Sequence, residues 1–381
     1  MVMEKKDFRT PGQLIGSLLS EHGWTQRLLA VILGMDETGI NHIVLGKRAV
    51  SAEMAVLLEE VFKIPAETFL TLQKQYDLAR ARIVARPDPN RAIRTYLFGS
   101  LPITEMIKRR WLDGSDIRNV KQIENALVTF FGVNSVDEIE ILPHAAKKTN
   151  TFVPVTPVQL VWIYRAKQIA NDMLAGRYSP SAVKSAIPRL NNLLSAPEEA
   201  RKVPKILAQC GIRYVIVETL AKAKIDGVCF WLNDFSPVIG MSLRYDRIDN
   251  FWFVLRHELE HVLRRHGLKA IMVDAELEEE RANTRNNTFK EEQVANEAAE
   301  DFCVSRKKMD SFIARKAPFF YERDILGLAS VLQIHPGLVA GQLQHRTGKY
   351  DRFREHLVKI RNFVTSGAMV DGWGDVAPVG L

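Results

Sequence analysis

The sequence predicts a mostly α-helical protein with one small β-sheet, an α+β architecture, and three observations point to it. Apolar residues recur at helical spacing through residues 9–80, 91–141 and 156–211. Three short segments instead have the composition and boundaries of strands: "IRYVIVE" (212–218), "GVCFWL" (227–232) and "PVIGMSL" (237–243). The 381 residues exceed one ordinary domain. The expected divisions are a helix-turn-helix domain (9–80), a helical connector (91–150), a C-terminal domain (156–365) and a Gly-rich flexible tail (366–381).

The first helices are short. "TPGQLIGSLLSEHG" places Leu14, Ile15, Leu18 and Leu19 on one face and stops at Gly23. Thr25 caps "QRLLAVIL", which Gly34 ends; "DETGINHIVLG" follows a tight turn, and Ser51 caps "SAEMAVLLEEVF". Two short helices joined by a few residues with a Gly form the helix-turn-helix pattern. "RPDPN" (86–90) reads as a linker, and Arg80–Pro89 as a stretch open to cleavage. "LPITEMIKRRWL" and "VKQIENALVTFFGV" are helical and carry no recognisable chemistry. Thr156 caps a long helix that Gly176 stops, and "AVKSAIPRLNNLLSAPEEARKVPKILAQCG" adds two helices broken by Pro. After the strands, a helix capped by Asp249 or Asn250 precedes the polar stretch 274–290, then "EEQVANEAAEDFCV" and terminal helices to about residue 364.

Composition narrows the function classes. A 46% hydrophobic fraction is ordinary for a globular chain, and no apolar run reaches membrane-spanning length. No secretory h-region opens the chain. Cys210, Cys229 and Cys303 are few and scattered, which suits buried thiols in a cytoplasmic protein rather than a disulfide framework. The net charge of +7 lies outside the N-terminal segment: residues 1–85 hold ten Lys/Arg and ten Asp/Glu. DNA binding there must depend on local placement of charge.

The string "RHELEHVLRRHG" (256–267) poses the chemical question. Residues i and i+4 share a helix face, so His257 and His261 can direct ring nitrogens at one ion, with Glu258 beside them as a general base. Zinc then requires a third protein ligand and an open position. Glu292 is the expected ligand, with Asn296 one turn later as a hydrogen-bonding support. The alternative is a plain solvated face formed by Glu291, Glu292, Glu297 and Glu300. His266 reads as a cation near the helix C-terminus; Trp252, Phe253 and Leu255 as packing onto the sheet; and Tyr245 and Arg247 as loop caps or substrate contacts.

"PVIGMSLRYDRIDNFWFVLRHELEHVL" followed by "EEQVANEAAEDF" resembles the ImmA/IrrE family of metallopeptidases, over roughly residues 157–345. The resemblance implies a zincin-like domain binding Zn2+ through His257, His261 and Glu292, with Glu258 as base. Here "EAAEDFCVSR" has no Pro after the Asn, unlike the usual family pattern. The N-terminal segment resembles HigA-type antitoxins of the Xre-like fold. That resemblance implies DNA contacts from Gln26, Thr38, Asn41 and His42, with Lys47 and Arg48 on phosphates. Glu37 opposes phosphate, and a homodimer on a two-fold operator would offset a neutral monomer.

Together these imply a regulator of a toxin-antitoxin, mobile-element or stress operon that acts by cleaving a helix-turn-helix repressor, a cognate toxin or itself. The alternatives are a HigA-like repressor whose second domain senses without turnover, a helix-turn-helix that binds protein only, and a scaffold that binds neither metal nor operator.

Overall fold

The computed structural model describes residues 8–85, 90–114, 116–139, 155–268, 272–275, 288–372 and 375–378. The chain divides into two compact units, Met1–Pro89 and Asn90–Leu381.

The first unit is all helical: α1 (Pro11–His22), α2 (Gln26–Ile32), α3 (Glu37–Val44), α4 (Ala52–Phe62) and α5 (Ala66–Val84). Capping sets the boundaries. Thr25 accepts the Leu28 amide at 3.2 Å, Asp36 the Gly39 amide at 2.6 Å and Ser51 the Met54 amide at 3.2 Å. Gly23 closes α1 in the left-handed region (φ 64°). Leu14, Ile15, Leu18, Leu29, Ile40, Ile43, Leu58 and Phe69 share one core. Helix α5 runs to Val84, so residues 80–84 of the stretch expected to be an open cleavage site are helical; 86–89 lie outside the described residues.

The second unit is built around a sheet with both faces covered. Its first helices are α6 (Arg91–Ser100), α7 (Ile103–Lys108), α8 (Val120–Phe131), α9 (Pro157–Asp172), α10 (Pro180–Asn191) and α11 (Val203–Gln209). The strands β1 (Arg213–Val217), β2 (Ile225–Trp231) and β3 (Pro237–Met241) follow, then α12 (Ile248–Leu263), β4 (Met272–Ala275) and α13 (Thr288–Cys303). The chain ends with α14 (Arg306–Lys316), α15 (Glu322–Leu332), α16 (Pro336–Thr347), α17 (Arg361–Val364), β5 (Met369–Gly372) and β6 (Asp375–Pro378). The sheet order is β4-β2-β3-β1-β5-β6, with β1 parallel to β3 and β5 and the other pairs antiparallel.

Side-chain alternation divides the sheet between two cores. Val215, Val217, Val228, Phe230 and Val238 face a layer including α6–α9, and Tyr214, Ile216, Cys229, Ile239 and Met241 face a layer including α10–α13 and α16. Burial on both sides explains why these strands read as unbroken apolar runs. All three cysteines are buried, and none is in a disulfide among the described residues.

Three local expectations change. Part of the stretch expected to be a flexible tail is in the sheet: β5 pairs with β1, and buried Asp371 accepts from Arg165 Nε at 2.8 Å; 373–374 and 379–381 lie outside the described residues. Residues 91–139, set apart as a connector, share a core with the sheet; 140–154 lie outside the described residues. Pro188 sits inside α10 instead of breaking it. Among the described residues no single helix is long and apolar enough to cross a membrane.

Trp162 on α9 joins the first helical layer to the sheet: it is fully buried, and its Nε1 donates to Val217 O at 3.1 Å. Trp162→Ala should destabilise the protein by about 3–5 kcal/mol in urea denaturation, from lost burial and the cavity left behind.

Candidate metal centre and nucleic-acid interface

Helix α12 carries the centre. It starts at Ile248, one residue before the expected cap; Asp249 instead lies in the first turn and accepts from Arg247 Nε at 3.0 Å. Trp252 and Leu255 are buried in the core, and Trp252 also meets Phe302 of α13, with ring centroids 6.3 Å apart. Tyr245 lies against Arg244, whose Cζ is 4.5 Å from its ring centroid. At the far end Tyr178 Oη donates to Val262 O at 3.1 Å. Burial pushes the Glu260 carboxyl up, but Arg256 and Arg264 outweigh it and hold the group below its ordinary value. The helix is thus held along its length.

His257, Glu258 and His261 are fully buried. His257 Nε2 and His261 Nε2 lie 2.9 Å apart. Glu292, from α13, brings Oε2 to 3.2 Å from His257 Nε2 and Oε1 to 3.6 Å from His261 Nε2. The three residues can each offer one ligand atom within 4.8 Å of the others. Zinc bonds of about 2.0–2.2 Å in a tetrahedron put ligand atoms roughly 3.3–3.6 Å apart. The observed separations of 2.9, 3.2 and 3.6 Å are close to that frame, and two imidazoles with a carboxylate are a donor set suited to zinc. The residues present therefore fit the ion.

Glu258 owes its place to a glycine. Gly227, on β2, lies directly under it: a Cβ there would collide with Glu258 Oε1 and come 2.9 Å from Val254 Cγ1. The β2–β4 ladder shifts register between Ile225 and Gly227, a bulge beside the carboxylate.

His266 lies just past the end of α12, as expected, its amide donating to His261 O at 2.9 Å, and its ring turns back toward the ligand pair. Its Nδ1 is 2.9 Å from His261 Nδ1, and its Nε2 is 3.7 Å from Glu291 Oε1. Burial, then the neighbouring His261, holds its pKa below the ordinary imidazole value. Asn296 sits one turn beyond Glu292, half-buried, but its Oδ1 is buried without a hydrogen-bond partner. No spacing rule pointed to His266, because its position depends on the turn after α12.

In the first unit, the candidate DNA contacts cluster on α2, α3 and the turn after them. Thr38, His42, Lys47 and Arg48 are exposed, and Gln26 and Asn41 half-buried. Glu37 is also exposed, as are Leu28, Val31, Ile32 and Leu45, so the surface mixes donors, one acid and apolar groups. Residues 17–69 match the Helix-turn-helix family, which covers α2, α3 and the turn between them. No curated protein matches the chain. The first unit is a helix-turn-helix domain, the module of a DNA-binding regulator.

Gly227→Ala should cost about 1–3 kcal/mol through overpacking against Glu258. Gly327→Ala, in α15 with open space around it, should instead be neutral or stabilise by about 0.5–1 kcal/mol. Paired chemical denaturation curves would show the contrast.

Proposed function

We propose that this protein is a DNA-binding regulator with a zinc-dependent endopeptidase domain, in line with the ImmA/IrrE resemblance of residues 157–345. The observation that carries the reading is the convergence of His257, His261 and Glu292 at 2.9–3.6 Å with Glu258 buried on the same helix. A zinc ion held there would supply Lewis acidity, polarising a peptide carbonyl and acidifying water. Glu258 takes the proton of the attacking water and passes it to the leaving amine, as a buried carboxylate next to a divalent charge is suited to do. An extended peptide can add to a sheet edge by backbone hydrogen bonds, and β4 is the edge strand next to β2, which carries Gly227.

The helix-turn-helix domain supplies the address. α3 enters the major groove with Thr38, Asn41 and His42 toward base edges, while Gln26, Lys47 and Arg48 hold the backbone. The neutral balance of residues 1–85 favours a homodimer on a two-fold operator in the cytoplasm. Cleavage of a helix-turn-helix repressor, of a cognate toxin or of the chain itself would then end repression of a toxin-antitoxin, mobile-element or stress operon.

The purified protein should hold one zinc per chain, and His261→Ala should lose it. Glu258→Gln should keep the metal while losing cleavage of the chain or of a partner by at least about a hundredfold. Full zinc with no cleavage by the wild type, against itself or any partner from its operon, would sink the peptidase reading and leave a metal-bound sensor.

For DNA, Lys47→Ala and Arg48→Ala should weaken binding evenly across sequences and each reduce the salt slope by about one, read from fluorescence anisotropy at several salt concentrations. An unchanged slope in both would remove them from the interface.

A further inference from the structure

We infer that His266 is a positioning residue for the metal centre: it accepts the Nδ1 proton of His261 and thereby presents the His261 Nε2 lone pair to the ion. This rests on the zinc reading above and adds a residue to it.

A ligating imidazole must be neutral, with its metal-facing nitrogen free of hydrogen. His261 turns Nε2 toward His257 and Glu292, at 2.9 and 3.6 Å, so its proton belongs on Nδ1. The atom facing that nitrogen is His266 Nδ1, at 2.9 Å. Acceptance there leaves the His266 proton on Nε2, which faces Glu291 Oε1 at 3.7 Å. The chain of contacts runs from the Glu291 carboxylate through His266 and His261 to the metal position. Successive residues of α13 thus serve both levels, Glu292 the ion and Glu291 the imidazole behind it.

The backbone around His266 is built to hold this geometry. Its carbonyl accepts from Trp231 Nε1 at 2.9 Å and from Cys229 Sγ at 3.7 Å, both on β2. Arg265 and Gly267 lie on either side in the left-handed region, at φ 60° and 77°. A Cβ at Gly267 would come 2.5 Å from Cys229 O, so glycine permits the turn to close onto the strand. Two hydrogen bonds on its carbonyl and two left-handed backbone angles beside it therefore fix the backbone from which the ring projects. A surface cation near a helix end requires none of them.

Zinc affinity of the full chain, measured by competition with a chromogenic chelator, tests the inference without relying on turnover. His266→Leu removes the acceptor. His266→Asn keeps one, since an Asn Oδ1 can stand where the imidazole Nδ1 stood. His266→Leu should lose about 10–100-fold in zinc affinity, and His266→Asn should recover most of it. Circular dichroism melts of both variants would check that the fold persists. In the zinc-loaded wild type, the His261 Nδ1 proton should appear as a slowly exchanging imidazole resonance that His266→Leu abolishes. Wild-type zinc affinity in His266→Leu, or equal losses in the two variants with intact melts, would overturn the role of His266 alone. A wild type that holds no zinc would overturn the metal reading, and this inference with it.

Discussion

The candidate site depends on the packing of α12 against α13 and the sheet. Two imidazoles one helical turn apart meet by local geometry, but a carboxylate about thirty residues later reaches them only if a second helix is fixed at one depth and rotation. Gly227 leaves room for the Glu258 carboxylate beneath α12, Trp252 packs toward Phe302 on α13, and Tyr178 holds the end of the helix. With these in place, nitrogens of His257 and His261 and the two Glu292 oxygens stand 2.9–3.6 Å apart, near the roughly 3.3–3.6 Å edge of a zinc tetrahedron. A slide of α13 by one residue, about 1.5 Å along its axis and a hundred degrees around it, would replace Glu292 with a neighbour.

What could be read from the sequence was what depends on near neighbours. The i, i+4 histidines, the capping residues Thr25, Ser51 and Thr156, and the three apolar strands all express local periodicity or local hydrogen bonding. What could not be read depends on distant partners. "SGAMVDGWGDVAPVGL" has the composition of a coil, yet β1 offers an unpaired edge and Arg165 offers Asp371 a charge from 206 residues away. The helices of 91–139 carry no chemistry, and their apolar faces do not say which surface they cover; the sheet decides it. The contact of His266 with His261 is not legible in the sequence, because the backbone there follows a left-handed turn and is tied to Trp231 on a strand far back in the chain.

The two units differ in how strongly their sequences constrain chemistry. The candidate metal centre is compact: His257 and His261 are buried, and the Glu292 carboxylate lies within 3.6 Å of both imidazoles. The candidate DNA-reading face is mixed: Lys47 and Arg48 are exposed cations, Glu37 is an exposed acid, and apolar Leu28, Val31 and Ile32 lie exposed on α2.

The central claim is that one ion is shared by two turns of α12 and one residue of α13. X-ray absorption at the zinc edge of the metal-loaded full chain reads that coordination directly. The account predicts two imidazole nitrogens and light oxygen donors at about 2.0–2.2 Å, no sulfur, and loss of an oxygen donor in Glu292→Ala. Sulfur in the first shell, or a spectrum that Glu292→Ala leaves unchanged, would contradict it.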